Sequence, residues 1–267
     1  MQITFIGGGN MATAIIGGLV AGGEHHIRVV ELHEEKRAQL QQQFGVEALA
    51  TLPAQFAADG VVVLAVKPQA LREVCLALAP VLGNALVVSI AAGIRCEALA
   101  RWLGSERIVR VMPNTPAMVG KGVSGLYAAA NVGDAERAAA TSIMQAVGTT
   151  TWLAAESGID DITSVSGSGP AYVFYFIESM IEGAVQAGFA EDEARRLVLA
   201  TFDGAVELAR QSPLPVATLR QNVMSKGGTT ERAIFRFEAE GVKQAIIAGA
   251  MDCRARSVEM GIELSKD

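Results

Sequence analysis

Apolar residues along this chain follow two different rhythms. Up to about residue 153, short aliphatic and β-branched runs alternate with segments whose apolar side chains recur every three or four positions. The runs predict strands at Ile3–Ile6, Ile27–Leu32, Val61–Val66, Ala85–Ile90, Ile108–Met112, Gly122–Ala128 and Thr149–Leu153. Between them, Met11, Ile15 and Leu19, then Leu40 and Phe44, then Leu71, Val74, Cys75 and Leu78 form stripes of helical spacing. Strands alternating with helices build a parallel sheet from βαβ units, with the helices packed on its faces.

After about Ile159 the strand signals stop, and Gly and Pro punctuate a series of helices. Pro170 opens one that Gly188 ends, and a second runs from about Glu191 to Gln211, where Ser212-Pro213-Leu214-Pro215 breaks it. Further helices follow Pro215, Thr229 and Val242. The pattern predicts two domains, an α/β domain over 1–155 and an all-helical one over 156–267. Tyr172 to Ile177 is a run of apolar and aromatic residues, so the Pro170 helix is apolar nearly all round and is expected to be buried, between two subunits.

Composition narrows the class. The chain is 51% hydrophobic but only 5% aromatic and holds 28 Gly, which suits closely packed helices and glycine turns better than a β-sandwich. A net charge of -6 without any Lys/Arg block argues against nucleic acid or an anionic membrane as partner. No apolar run approaches the ~18 residues of a membrane span, and no signal-peptide pattern is present. Cys75, Cys96 and Cys253 are far apart and odd in number, which predicts reduced core thiols in a cytoplasmic protein. The three histidines lie in the first 33 residues without ligand spacing to Asp, Glu or Cys, so no metal is expected.

Gly7-Gly8-Gly9-Asn10-Met11-Ala12 follows a predicted strand, precedes a predicted helix, and matches the dinucleotide-binding pattern G-x-G-x-x-G/A. Gly7 would make the tight turn, Gly9 would let the backbone approach a diphosphate, and Ala12 would hold helix to strand, with the helix N-terminus facing the negative charge. Glu31 stands about 20 residues on, where an acidic side chain accepts hydrogen bonds from the adenosine ribose and repels a 2′-phosphate. The alternative is an exposed glutamate at a strand end beside Glu34 and Glu35, with His33, Lys36 and Arg37 offsetting the charge. The choice between NADPH and NADH stays open.

Ala65-Val66-Lys67-Pro68 and Ala91-Ala92-Gly93 fall at carboxyl ends of predicted strands, the ligand side of an open α/β sheet, and Lys67 is either a ligand contact or a surface lysine. Met112-Pro113-Asn114-Thr115-Pro116 is a rigid turn at the same edge that is expected to present Asn114 to the nicotinamide or substrate. In the helical part, Ser225-Lys226-Gly227-Gly228-Thr229-Thr230 ends at a helix N-terminus, whose free N–H groups suit a carboxylate. An N-cap beside a Gly-Gly hinge is the plainer account of the same residues.

Taken together, FIGGGNMA, AVKP, SIAAG, VMPNTPA, VSGSGPAYVF and SKGGTTERAIFRFE resemble the pyrroline-5-carboxylate reductases across nearly the whole chain. The resemblance implies a Rossmann-type dinucleotide-binding domain followed by a helical dimerisation domain, a homodimer or higher oligomer, and an active site between the domains that is completed across the dimer. It implies reduction of a cyclic imine, L-1-pyrroline-5-carboxylate, to L-proline by NADPH or NADH. The cofactor residues it implies are Gly7, Gly8, Gly9, Asn10, Met11, Glu31, Ala65, Val66, Lys67, Pro68, Ala91, Ala92, Gly93 and Asn114. Val223, Ser225, Gly227, Gly228, Thr229 and Thr230 would bind substrate, Ser225 and the Thr229 backbone holding the carboxylate and Thr230 as the catalytic hydroxyl at the imine nitrogen. Lys226 departs from the family's usual Ser-Pro-Gly-Gly, and Glu31 from the NADPH preference of many members. A β-hydroxyacid dehydrogenase shares this plan but resembles its kin in carrying a helical lysine, and Ser166 to Ser179 has none.

Overall fold

The computed structural model describes residues 1–23 and 25–266. Contacts divide the chain into two compact units, Met1–Ser168 with Asp252–Asp267, and Gly169–Met251. The first unit therefore takes in residues 156–168 and the end of the chain, which the sequence pattern assigns to the helical domain. Glu156 and Asp160 explain the difference: the first accepts from Arg110 Nη1 at 3.0 Å and the second from Ser257 Oγ at 2.6 Å, both inside this unit.

The first unit is built as β1 (Gln2–Ile6), α1 (Asn10–Gly22), β2 (His26–Val30), α2 (Glu34–Phe44), β3 (Glu47–Leu49), β4 (Val61–Leu64), α3 (Pro68–Leu82), β5 (Leu86–Ser89), α4 (Cys96–Leu103), β6 (Ile108–Met112), β7 (Gly122–Ala128), α5 (Asp134–Gln145), β8 (Gly148–Trp152) and α6 (Gly158–Ile162). The strands form an eight-stranded sheet in the order β3-β2-β1-β4-β5-β6-β7-β8. In β4, Val61 and Val63 face one core with α1 and α5, while Val62 and Leu64 face the other with α3 and α4. Burial on both faces is why these strands are apolar throughout. Leu71, Cys75, Leu78 and Leu82 of α3 are at most 1% exposed, and each leucine contributes about 1.5–3 kcal/mol on burial.

Two expectations need correction. The sheet is not wholly parallel: β7 pairs antiparallel with β6, and β8 parallel with β7. The connection 113–121 is too short for a parallel crossover, which takes a dozen or more residues, so the chain turns back. Strand β3 was also not foreseen, because its three residues carry no β-branched run.

In the second unit, α7 (Gly169–Gln186), α8 (Glu191–Gln211), α9 (Val216–Asn222) and α10 (Thr229–Ala239) are followed by α11 (Val242–Leu264), whose residues from Asp252 onward belong to the first unit. Within the single chain α7 has no buried residue, and Val173, Phe174 and Tyr175 are 45%, 62% and 67% exposed, so the burial expected of it between two subunits does not come from its own chain. No helix among the described residues is long and apolar enough to cross a membrane, and none of their His, Cys, Asp and Glu side chains cluster as a metal site.

Candidate active site

The glycine loop joins β1 to α1. Gly7 has φ +100 and donates its N–H to the Val30 carbonyl at 2.8 Å, and a Cβ there would stand 2.9 Å from the Ala65 carbonyl oxygen. Only glycine suits both that dihedral and that approach. A Cβ on Gly9, by contrast, would meet nothing within 4 Å, so the space beside this backbone is open. Helix α1 starts one residue later with no side-chain cap, leaving its first N–H groups free for an anion, while Ala12 is buried against the core. The loop thus fits a dinucleotide diphosphate.

Glu31 lies just past β2 and is 8% exposed, so it is not a solvent-facing glutamate. Its Oε2 accepts the Gly8 N–H and its Oε1 the His33 N–H, each at 2.9 Å. Burial raises the carboxyl pKa, but those two N–H groups, with the charges of Lys36 and His33, outweigh it and hold the group below its ordinary value. A Cβ on Gly8 would fall 2.7 Å from Leu40 Cδ1 and 3.3 Å from Glu31 Oε2, so the middle glycine is what lets the carboxylate reach the loop.

Several of the residues read as cofactor contacts line three cavities of the first unit. Gly7, Glu31 and Val66 share one of about 520 Å³ with Leu52 and Thr51. Gly8 and Asn10 border a second, beside α2, and Ala91, Ala92 and Gly93 a third, beside β6 and the end of α11. Lys67 is exposed at the start of α3, where Pro68 takes the first helical position, and Met11 packs against the core beneath α1.

Two of these residues also have structural roles that the local sequence pattern does not announce. Gly93, at φ +74, is buried, and a Cβ on it would meet Leu264 Cδ1 at 2.9 Å, so it serves a left-handed turn beneath α11. Asn114 is 6% exposed and does not offer its amide to a groove. Its Oδ1 accepts the Val123 N–H at 2.9 Å and its Nδ2 donates to the Ser166 carbonyl at 2.9 Å, bracing the Pro113–Pro116 turn against β7 and the π-helical turn Thr163–Gly167. Thr51 and Leu52 were missed because they follow the unforeseen β3.

In the second unit, Gly227 turns the chain at φ +71 and donates its N–H to Glu231 Oε2 at 2.7 Å. Gly228 donates to the Ser225 carbonyl at 2.9 Å, and a Cβ on it would lie 2.4 Å from Ser225 Oγ. Helix α10 then begins at Thr229 without a side-chain cap, and Val223, Ser225, Thr229 and Thr230 are exposed. Ser225 is thus packed against Gly228, the residue that precedes α10. Glu231 is a loop-fixing carboxylate that the sequence reading did not single out.

Two family models match the chain: one described as pyrroline-5-carboxylate reductase dimerisation over residues 156–260, the other as NADP oxidoreductase, coenzyme F420-dependent, over residues 2–93. The chain is 44% identical to the pyrroline-5-carboxylate reductase of Pseudomonas aeruginosa over 99% of its own length and 98% of the relative's. A solved pyrroline-5-carboxylate reductase from Coxiella burnetii superposes with a TM-score of 0.87 at 39% identity, covering 97% of each chain. One from Plasmodium falciparum with NADP bound superposes with a TM-score of 0.86 at 28% identity, covering 98% of each.

Proposed function

The chain belongs to the pyrroline-5-carboxylate reductase family, and on that premise we propose that it reduces L-1-pyrroline-5-carboxylate to L-proline, the last step of proline biosynthesis, with NAD(P)H. When bound, the dinucleotide supplies the hydride. A protonated cyclic imine is already electrophilic, so the chain's own task is to hold, orient and exclude water rather than to provide a strong acid or base.

The diphosphate is held at Gly7, Gly8, Gly9, Asn10 and Met11, at the open N-terminus of α1. The stretches Ala65–Pro68 and Ala91–Gly93 border the rest of the cofactor site, with Asn114 acting as a brace behind it. The substrate carboxylate is taken by Ser225 and the Thr229 N–H, the imine nitrogen by the Thr230 hydroxyl, and Val223, Gly227 and Gly228 shape the loop around them. The observation that carries this assignment is the uncapped start of α10, whose first N–H groups have no side-chain partner, with Ser225 Oγ packed against Gly228 just before it. An anion at that terminus is favoured by the helix dipole as well as by the N–H groups.

The exposed apolar face of α7 supports a homodimer, the net charge of -6 supports a role without nucleic acid, and three free cysteines support a cytoplasmic setting. Incubation of the purified protein with the imine and either dinucleotide, followed at the nicotinamide absorbance, is expected to show oxidation of the cofactor and formation of proline. No turnover with either dinucleotide would overturn the reading.

A further inference from the structure

We propose that Glu31 makes this chain select the dinucleotide without a 2′-phosphate, NADH, over NADPH. The inference rests on reading the first unit as the dinucleotide-binding one, and it runs opposite to the NADP in the family-model description and in the Plasmodium falciparum structure.

Three observations converge on it. The carboxylate is fixed rather than mobile: two backbone N–H groups, of Gly8 and His33, hold one oxygen each. It borders the cavity that begins at Gly7, the turn of the diphosphate loop, where the adenosine half of a dinucleotide lies in this fold. The lining of that cavity contains no Lys or Arg.

The nearby cations lie outside that lining. Arg37 donates Nη1 to the carbonyls of Glu31 and Leu32, each at 2.8 Å, which ties its guanidinium to the backbone behind the carboxylate. Lys36 borders the separate cavity beside α1. A 2′-phosphate would therefore meet a buried anion with only the His33 side chain as a cationic candidate in the lining, whereas free ribose hydroxyls can donate to the remaining lone pairs of the same carboxylate. Because the carboxyl titrates below its ordinary value, the anion is present throughout the neutral range.

The test is direct binding without substrate, by titrating the dimeric protein with NADH and with NADPH and following nicotinamide fluorescence. Wild type is expected to bind NADH more tightly, by about five- to thirtyfold, the effect of one repelled charge near solvent. Glu31→Ser should remove most of that ratio. Glu31→Gln removes the charge and keeps one acceptor oxygen, for the Gly8 or the His33 N–H but not both, so it separates charge from side-chain size; it should lower the ratio by a similar factor, and its melting temperature without ligand reports the cost of the lost hydrogen bond. Equal or tighter binding of NADPH by wild type, or an unchanged ratio in both variants, would overturn the proposal. Selective NADH binding without turnover of the imine would instead overturn the reaction and leave this inference standing; binding of neither dinucleotide would overturn both.

Discussion

Arg110 Nη1 lies 3.0 Å from Glu156 Oε1, and the arginine side chain is only 3% exposed. The same oxygen accepts the Cys96 N–H at 2.7 Å, so one carboxylate joins β6, the start of α4 and the segment leading into α6. A buried guanidinium without its counter-ion is costly, because desolvation is no longer offset. Glu156→Ala is therefore expected to destabilise the protein toward the lower end of about 3–5 kcal/mol, since Glu156 itself keeps 26% of its side-chain surface in solvent. Glu156→Gln, which retains an acceptor for Cys96, should cost less. Urea unfolding at fixed protein concentration measures both, and equal stability of wild type and Glu156→Ala would refute the bracing role.

Asn114 provides a sharper contrast between two roles. With its amide oxygen on Val123 and its amide nitrogen on Ser166, removal leaves one part-buried N–H and one part-buried carbonyl without that partner. Each such group costs about 1–3 kcal/mol. Asn114→Ala should lower the melting temperature in the absence of any ligand. If it left stability unchanged and only raised the dinucleotide KM, the side chain would be a cofactor contact after all.

The different fates of Asn114 and the glycine loop show what the chain makes legible. Gly7, Gly9 and Ala12 act through the backbone within six residues of one another, so the local pattern contains the geometry, and the strand–turn–helix context completes it. The partners of Asn114 are nine and fifty-two positions away, and no periodicity announces them. The direction of β7 was hidden for a similar reason: alternation reports which side chains are buried, whereas direction depends on the length of the preceding connection. Glu31 was legible as to its place but not its partners, because the Gly8 N–H that fixes it comes from across the β1–α1 turn. The assignment of Ser225 to Thr230 rests on the family resemblance, with the packing of Ser225 against Gly228 as its structural support.

Helix α7 carries the next expectation. Phe174 and Tyr175 are more than half exposed, and none of the helix's residues is buried by its own chain. An apolar face of this extent is covered in a stable protein by self-association. Light scattering at micromolar concentration should return at least twice the chain mass of 27.9 kDa. Phe174→Glu should weaken the association, because an unpaired carboxylate would be desolvated on assembly. A wild-type particle of one chain mass with full activity would refute the dimer.

Thr230 and Ser225 should part company in the kinetics. Thr230→Val keeps the volume of the side chain but removes the hydroxyl at the first turn of α10, and a hydrogen bond to a charged iminium is worth about 1.5–3 kcal/mol. The corresponding fall in kcat/KM is roughly tenfold to over a hundredfold. Because charge redistributes at the imine nitrogen as the ring carbon is reduced, much of that loss should appear in kcat. A carboxylate contact is made about equally in ground and transition states, so Ser225→Ala should act mainly through KM. Neither change touches the first unit, and dinucleotide affinity should be unaltered in both. Gly228, whose Cβ would meet Ser225 Oγ at 2.4 Å, supplies the control: Gly228→Ala should displace Ser225 and raise KM as Ser225→Ala does, without removing the hydroxyl. Wild-type turnover by Thr230→Val would reduce Thr230 to an ordinary first-turn residue of α10 and leave the imine to be oriented elsewhere.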